Sequence, residues 1–229
     1  MALPKLNVPV YEAVLPSTEK VIKFRPFLVK EEKVLLTAME DGGQPAMMNA
    51  IKNILKNCVQ QKLEVDKLPL FDIEYLFLKL RSKSIGEKSE IGLKCSCDEN
   101  AVTQVEIDMD KIEVEKPEGH TRKIMINDEV GVMLSYPVMK TAGVDKQDGM
   151  LIVRDCIEMI FTGEETHEKG SFTNKELDEF IDSMDTKQFG KIKEFFDTMP
   201  KLQHTVKYTC SACGEDNEVT LQGLDSFFG

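Results

Sequence analysis

Two stretches decide the fold: GLKCSCDEN at 92–100 and YTCSACGEDNEV at 208–219. The first carries Cys95 and Cys97, the second Cys210 and Cys213. Each pair follows a run of strand-forming residues, meets an acidic, Asn-containing turn and leads into a second alternating run. That pattern predicts two β-hairpins with thiols at their tips. Two such tips brought together supply four sulfur ligands, which suits a tetrahedral structural zinc site made of Cys95, Cys97, Cys210 and Cys213. The second pair, followed by Gly214, has knuckle spacing, whereas the first is one residue short of it. Two partly exposed reduced pairs, or a site that has lost its metal, are the alternatives this pattern leaves open.

Around these tips lies a chain of 229 residues, 41% hydrophobic, long enough to bury a real core. Its formal net charge of −11 argues against a phosphate-binding surface, which would begin with clustered Lys and Arg. No apolar run approaches the length of a membrane helix, and the opening MALPKLNVP lacks the apolar core of a signal peptide. The expected setting is a cytoplasm, where paired cysteines point to metal more often than to disulfides. Cys58 and Cys156 sit singly in apolar helical patterns and read as small core residues.

In chain order, Tyr11–Leu15 and Val21–Pro26 flank a Pro-Ser-Thr turn and read as a hairpin. A helix over Glu31–Glu40 places Val34, Leu35 and Ala38 on one face and stops at Asp41-Gly42-Gly43. A second, from about Pro45 to Gln61, buries Met47, Ile51, Ile54, Leu55 and Cys58. A third, near Phe71–Lys83, turns Ile73, Leu76, Phe77 and Leu80 inward, and the first cysteine hairpin follows. The order then begins again. A hairpin is expected over Lys123–Ile126 and Val130–Leu134, a helix near Asp148–Phe161, and a Gly- and Glu-rich mobile loop over 162–171. Thr173-Asn174-Lys175-Glu176 is a capping box opening a helix with Leu177, Phe180, Ile181 and Met184. A further helix carries Phe189, Ile192, Phe196 and Met199. The second cysteine hairpin follows, and terminal Leu224, Phe227 and Phe228 are expected to dock on the core.

The expected fold is therefore α+β, with two related halves at 1–117 and 118–229 in one compact unit. Each half would be a β-hairpin, helices and a cysteine-tipped hairpin, the two joined by the zinc-ribbon-like site. Unequal offsets between the halves are explained by insertions and deletions in loops.

Catalysis finds little support. His120, His167 and His204 stand outside any recognisable nucleophile or metal motif, and no phosphate-cradling Gly loop is present. The expectation is no enzyme.

The segments LNVPVYEAVLPSTEKVIKFRPFLVKEEKVLLTAME (6–40), IKNILKNCV (51–59) and VDKLPLFDIEYLFLKLRSKSIGE (65–87) resemble the baseplate hub assembly chaperones of T-even-like contractile-tailed phages. The likeness is densest from Leu6 to Gly92 and looser over 120–229. It implies a protein made in the infected bacterium's cytoplasm that holds the tape measure protein and hub components while the tail initiates. The family carries no catalytic residues to transfer. A partner surface is expected in the first half, around Arg25, Pro26, Phe27 and Leu28 and around Phe71, Tyr75 and Phe77, where ordinary core is the competing reading for each residue. A permanent structural component of the baseplate hub is the second functional reading. A zinc-ribbon nucleic-acid binder is a third, which the net charge opposes; neither nucleic acid nor membrane is an expected partner.

Overall fold

Antiparallel strands β1 (Tyr11–Val14) and β2 (Val21–Phe24) open the chain. Their alternation is that of a half-buried hairpin: Ala13, Ile22 and Phe24 are buried, while Glu12, Val14, Val21 and Lys23 face solvent. The computed structural model describes residues 6–40, 43–139 and 149–228. Asp41 and Gly42, in the expected stop of the first helix, and Asp148, the expected start of a later one, lie outside the described residues. The chain divides into two units, one formed by residues 1–115 with 201–229, the other by 116–200.

In the first unit, helix α1 (Val29–Glu40) starts where Glu31 accepts a hydrogen bond from the Leu28 N–H at 2.8 Å. A carboxylate at the third helical position thus satisfies a free helix-start donor. Ala38 is buried as its spacing predicts, but Val34 is exposed, as are Val29, Leu36 and Met39. Helix α2 (Gln44–Cys58) buries Ile51, Ile54, Leu55 and Cys58 along the expected stripe. Helix α3 (Leu70–Ile85) is buried on almost every side, through Phe71, Ile73, Leu76, Phe77, Leu78 and Leu80. A helix apolar all round belongs in a core. The polar groups it carries inside are paired: Asp72 accepts from the backbone N–H and hydroxyl of Ser17, and Lys79 reaches Glu113 at 2.8 Å.

Strands β3 (Lys88–Cys95) and β4 (Asp98–Asp108) form one antiparallel hairpin. Strand β5 (Val114–Glu115) joins the hairpin of β10 (Lys201–Thr209) and β11 (Asp216–Gln222) in the order β11-β10-β5. That pairing draws the C-terminal hairpin into the first unit. The short terminal helix (Asp225–Phe228) inserts Phe227, which is fully buried, and Leu224 before it is buried too, so the expected docking of the chain end holds for both; the side chain of Phe228 lies outside the described residues.

The second unit is a four-stranded antiparallel sheet in the order β6-β7-β8-β9, with strands Lys123–Met125, Gly131–Leu134, Ile157–Phe161 and Thr166–Glu168. Helices α4 (Gly149–Cys156), α5 (Asn174–Asp182) and α6 (Thr186–Thr198) belong to the same unit. Its core gathers Val132, Leu134, Ile157, Leu177, Ile192 and Phe195. Two expectations are corrected here. The helix expected to run to Phe161 ends at Cys156, and the following Ile-Glu-Met-Ile-Phe is a strand paired to β7. Five residues with four apolar side chains fit either period, and the open edge of β7 decides it. The stretch expected as a loop over 162–171 contains β9, which pairs with β8. The capping box at Thr173 and Glu176 forms as expected, and a second one at Asp185 and Gln188 opens α6.

Candidate metal centre

The register of the two cysteine hairpins places the thiols. In the first, Cys95 pairs with Asp98, so Ser96 and Cys97 are themselves the turn. The acidic residue expected in the turn, Asp98, instead begins β4. A register shift between Lys94 and Cys95 rotates the strand end, the work a β-bulge does near functional sites. In the second hairpin, the Cys210 N–H donates to the Glu215 carbonyl at 2.8 Å and the Gly214 N–H to the Cys210 carbonyl at 2.9 Å. Gly214 has φ 77°, a left-handed conformation open to glycine at little cost, which lets the chain return under Cys213.

Both tips lie in the first unit and they meet. The four sulfur atoms of Cys95, Cys97, Cys210 and Cys213 all lie within 4.8 Å of one another. The Cys95 to Cys213 separation is 3.9 Å and that of Cys97 to Cys210 is 3.7 Å. A tetrahedral ion bonded to sulfur at about 2.3 Å needs sulfurs about 3.8 Å apart. The cluster therefore has the size of a four-thiolate shell and could hold a metal ion. Cys95 and Cys210 are buried, whereas Cys97 and Cys213 are exposed, so the cluster sits at a surface.

Neighbours of the thiols set their chemistry. The backbone N–H groups of Cys213 and Ala212 point at the Cys210 sulfur and hold its thiol down at about 6. Thiol–thiol hydrogen bonds with Cys95 and Cys213 push Cys97 up to about 12. A cation in the centre would reverse that penalty, because ligation takes place through thiolates and displaces their protons. Cys58 and Cys156 differ in kind. Burial raises them to about 11 and about 12, which makes them inert core thiols, as their helical spacing predicts.

Side chains that the sequence does not single out hold the tips together. The Tyr208 hydroxyl donates to the Lys94 carbonyl at 2.9 Å. The Ser211 N–H donates to the Thr103 hydroxyl at 3.0 Å, and the two hydroxyls lie 3.2 Å apart. Tyr208 sits two residues before Cys210, on the same side of its strand by period two. Nothing in the sequence says which residue of the other hairpin it meets.

The residues expected to form a partner surface are placed as follows. Phe27, Phe71, Tyr75 and Phe77 are buried, Pro26 is half-buried, and Leu28 is 39% exposed. Arg25 is held by Glu31 at 2.9 Å, by the Pro26 carbonyl at 2.9 Å and by the Asn57 carbonyl at 3.2 Å. It therefore links β2, α1 and the end of α2.

The sequence pattern of a known family, described as T4 bacteriophage base plate protein, matches residues 8–229. The chain belongs to the T4 bacteriophage base plate protein family. This base plate protein therefore acts in the assembly or the structure of a phage baseplate, with other baseplate proteins as its partners. No curated protein sequence and no solved structure matches it significantly. Among the described residues, no helix of this base plate protein is long and apolar enough to cross a membrane.

Proposed function

We propose that this base plate protein is a non-enzymatic assembly factor for the baseplate hub. On this reading it acts in the infected bacterium's cytoplasm, binding the tape measure protein and hub proteins while the tail initiates. The observation that supports it is the family match across residues 8–229. Exposed apolar side chains are consistent with a binding role: Leu28, Val29, Leu36 and Met39 leave apolar surface in solvent at the start and along the outer side of α1. The proposed partner surface spreads outward from Leu28. Arg25, Pro26 and Phe27 form its base, and Phe71, Tyr75 and Phe77, which are buried along α3, are the further residues assigned to it.

The four thiols are read as a structural zinc site, because sulfur separations of 3.7 and 3.9 Å match a tetrahedral zinc–thiolate shell. Zinc would staple the hairpin of β3 and β4 to that of β10 and β11. We also read the chain as an old duplication with halves at 1–117 and 118–229. The basis is the repeated order of hairpin, cysteine-bearing helix, further helix and cysteine hairpin.

Co-expression with the tape measure and hub proteins of the same phage tests the function. A defined complex, purified through a tag on this chain and weighed in solution, is the expected result. Failure of a folded chain to retain any tail protein would sink the assembly reading. Finding the chain in purified mature virions would favour a permanent hub component instead.

A further inference from the structure

The hairpin of β1 and β2 has two edges, and the protein treats them differently. The Leu15 N–H donates to the Lys20 carbonyl, which fixes the phase of the ladder. Antiparallel alternation then turns the backbone groups of Val21 and Lys23 away from β1, and those of Glu12 and Val14 away from β2. On the β2 side three of the four outward groups of Val21 and Lys23 are met. The Gln61 side chain accepts from the Lys23 N–H at 3.1 Å and donates to the Val21 carbonyl at 3.1 Å, and the Gln60 N–H donates to the Lys23 carbonyl at 2.9 Å. On the β1 side, among the described residues, no hydrogen bond reaches the outward groups of Glu12 and Val14. The open stretch is short. Pro9 and Pro16 lack N–H donors and close it at both ends, leaving Val10–Val14. Val10, Val14 and Val21 beside it are each about half exposed.

We infer that the free edge of β1 takes an extended segment of a partner baseplate protein as an added strand. This rests on the reading of the chain as one that binds other tail proteins. A side-chain amide such as that of Gln61 can meet one step of such an edge, whereas an extended backbone matches its donors and acceptors along the whole of Val10–Val14. Main-chain pairing of this kind supplies affinity while side chains select the partner. The matching segment has apolar, preferably β-branched, residues beside Val10 and Val14 and a basic or neutral residue beside Glu12. A second copy of this chain fits poorly. Twofold pairing centred on Glu12 sets the two Glu12 carboxylates opposite each other, each offset only by its own exposed Lys23 at 3.1 Å. Centring on Ala13 sets Glu12 against Val14, and centring on Val14 spends Glu12 on Pro16, which has no donor. A net charge of −11 adds repulsion between copies.

The test uses the full chain with the co-expressed tape measure and hub proteins. In the complex, the Glu12 and Val14 amides are expected to exchange at least tenfold more slowly than in the free chain. V14P removes an outward donor while leaving the bonds of Ala13 and Leu15 to β2, and is expected to weaken the complex about tenfold or more. V14K, which keeps the donor but charges the edge, guards against misfolding of the proline variant and is expected to act in the same direction. A complex of unchanged strength with both variants and unprotected amides overturns the inference and leaves the assembly reading standing. Recovery of no baseplate protein overturns both. Self-association abolished by V14P assigns the edge to a second copy, also against the inference.

Discussion

Removing the Glu31 carboxylate is expected to loosen the first unit more than any surface substitution on α1. Glu31 is 3% exposed and is held by Arg25 at 2.9 Å and by the Leu28 N–H at 2.8 Å, with the solvent-exposed Lys30 ammonium 3.3 Å away. In E31A the Leu28 donor loses its partner, a helix-start loss of about 1 kcal/mol. The Arg25 guanidinium loses its charged partner, about 1.5–3 kcal/mol. Arg25 keeps two carbonyls and is 20% exposed, so the lower half of that range applies. The sum is about 3 kcal/mol for E31A. E31Q retains one acceptor and should lose about half as much. The assay is urea unfolding read by hydrogen exchange in peptides from residues 11–85, with R25M completing a double-mutant cycle.

The pH dependence follows from the same geometry. Burial raises the Glu31 carboxyl, but the bonds from Arg25 and Leu28 outweigh it and leave the group below its ordinary value of 4.5. A lowered folded value means stability fully present above pH 4.5 and lost as pH falls through the folded value. The acid limb of wild-type stability should therefore be flattened in E31Q. If the Arg25 and Glu31 substitutions add within about 0.5 kcal/mol, or E31Q keeps the wild-type acid limb, the clamp argument is wrong.

Three further outcomes are expected. Protein purified without chelator should carry one zinc per chain with four sulfur ligands at about 2.3 Å by X-ray absorption, and C210S should lose the metal. In the second unit, G131A should cost about 1–3 kcal/mol in thermal or urea unfolding, because a Cβ there would run into the Phe161 ring and the Met125 sulfur. His120 should make that unit weaker in mild acid. Its Nδ1 lies 3.0 Å from the Thr198 hydroxyl, its buried Nε2 has no hydrogen-bond partner among the described residues, and burial lowers its pKa from 6.5. Its contribution is thus present above pH 6.5 and falls as pH drops below it, and H120F should remove that slope.

Much of this architecture is legible because it is local. The helical stripe of Ile51, Ile54, Leu55 and Cys58, the capping box at Thr173, and the hairpin around Pro16 depend on neighbours within a few residues. The exposed side of α1 was less readable, since the spacing sets Val34 with Leu35 and Ala38 on one face and only packing leaves Val34 in solvent as it does Leu36. The partner residues were ambiguous for a related reason. Arg25 and Phe27 are conspicuous in sequence, yet their surroundings come from Glu31, Asn57 and Ser84, whose positions depend on three helices.

By itself the sequence determined the α+β class, the two cysteine hairpins, the core fate of Cys58 and Cys156, and the baseplate family. Each follows from short-range periodicity, turn chemistry or a recognisable string of residues. Tertiary structure alone decided that Ile157–Phe161 is a strand, that residues 201–229 fold with 1–115, and that four sulfurs converge within 4.8 Å. Those outcomes depend on pairing between distant segments, of β8 with β7, β10 with β5, and Tyr208 with Lys94. Short-range pattern has no term for which strand edge a run will meet.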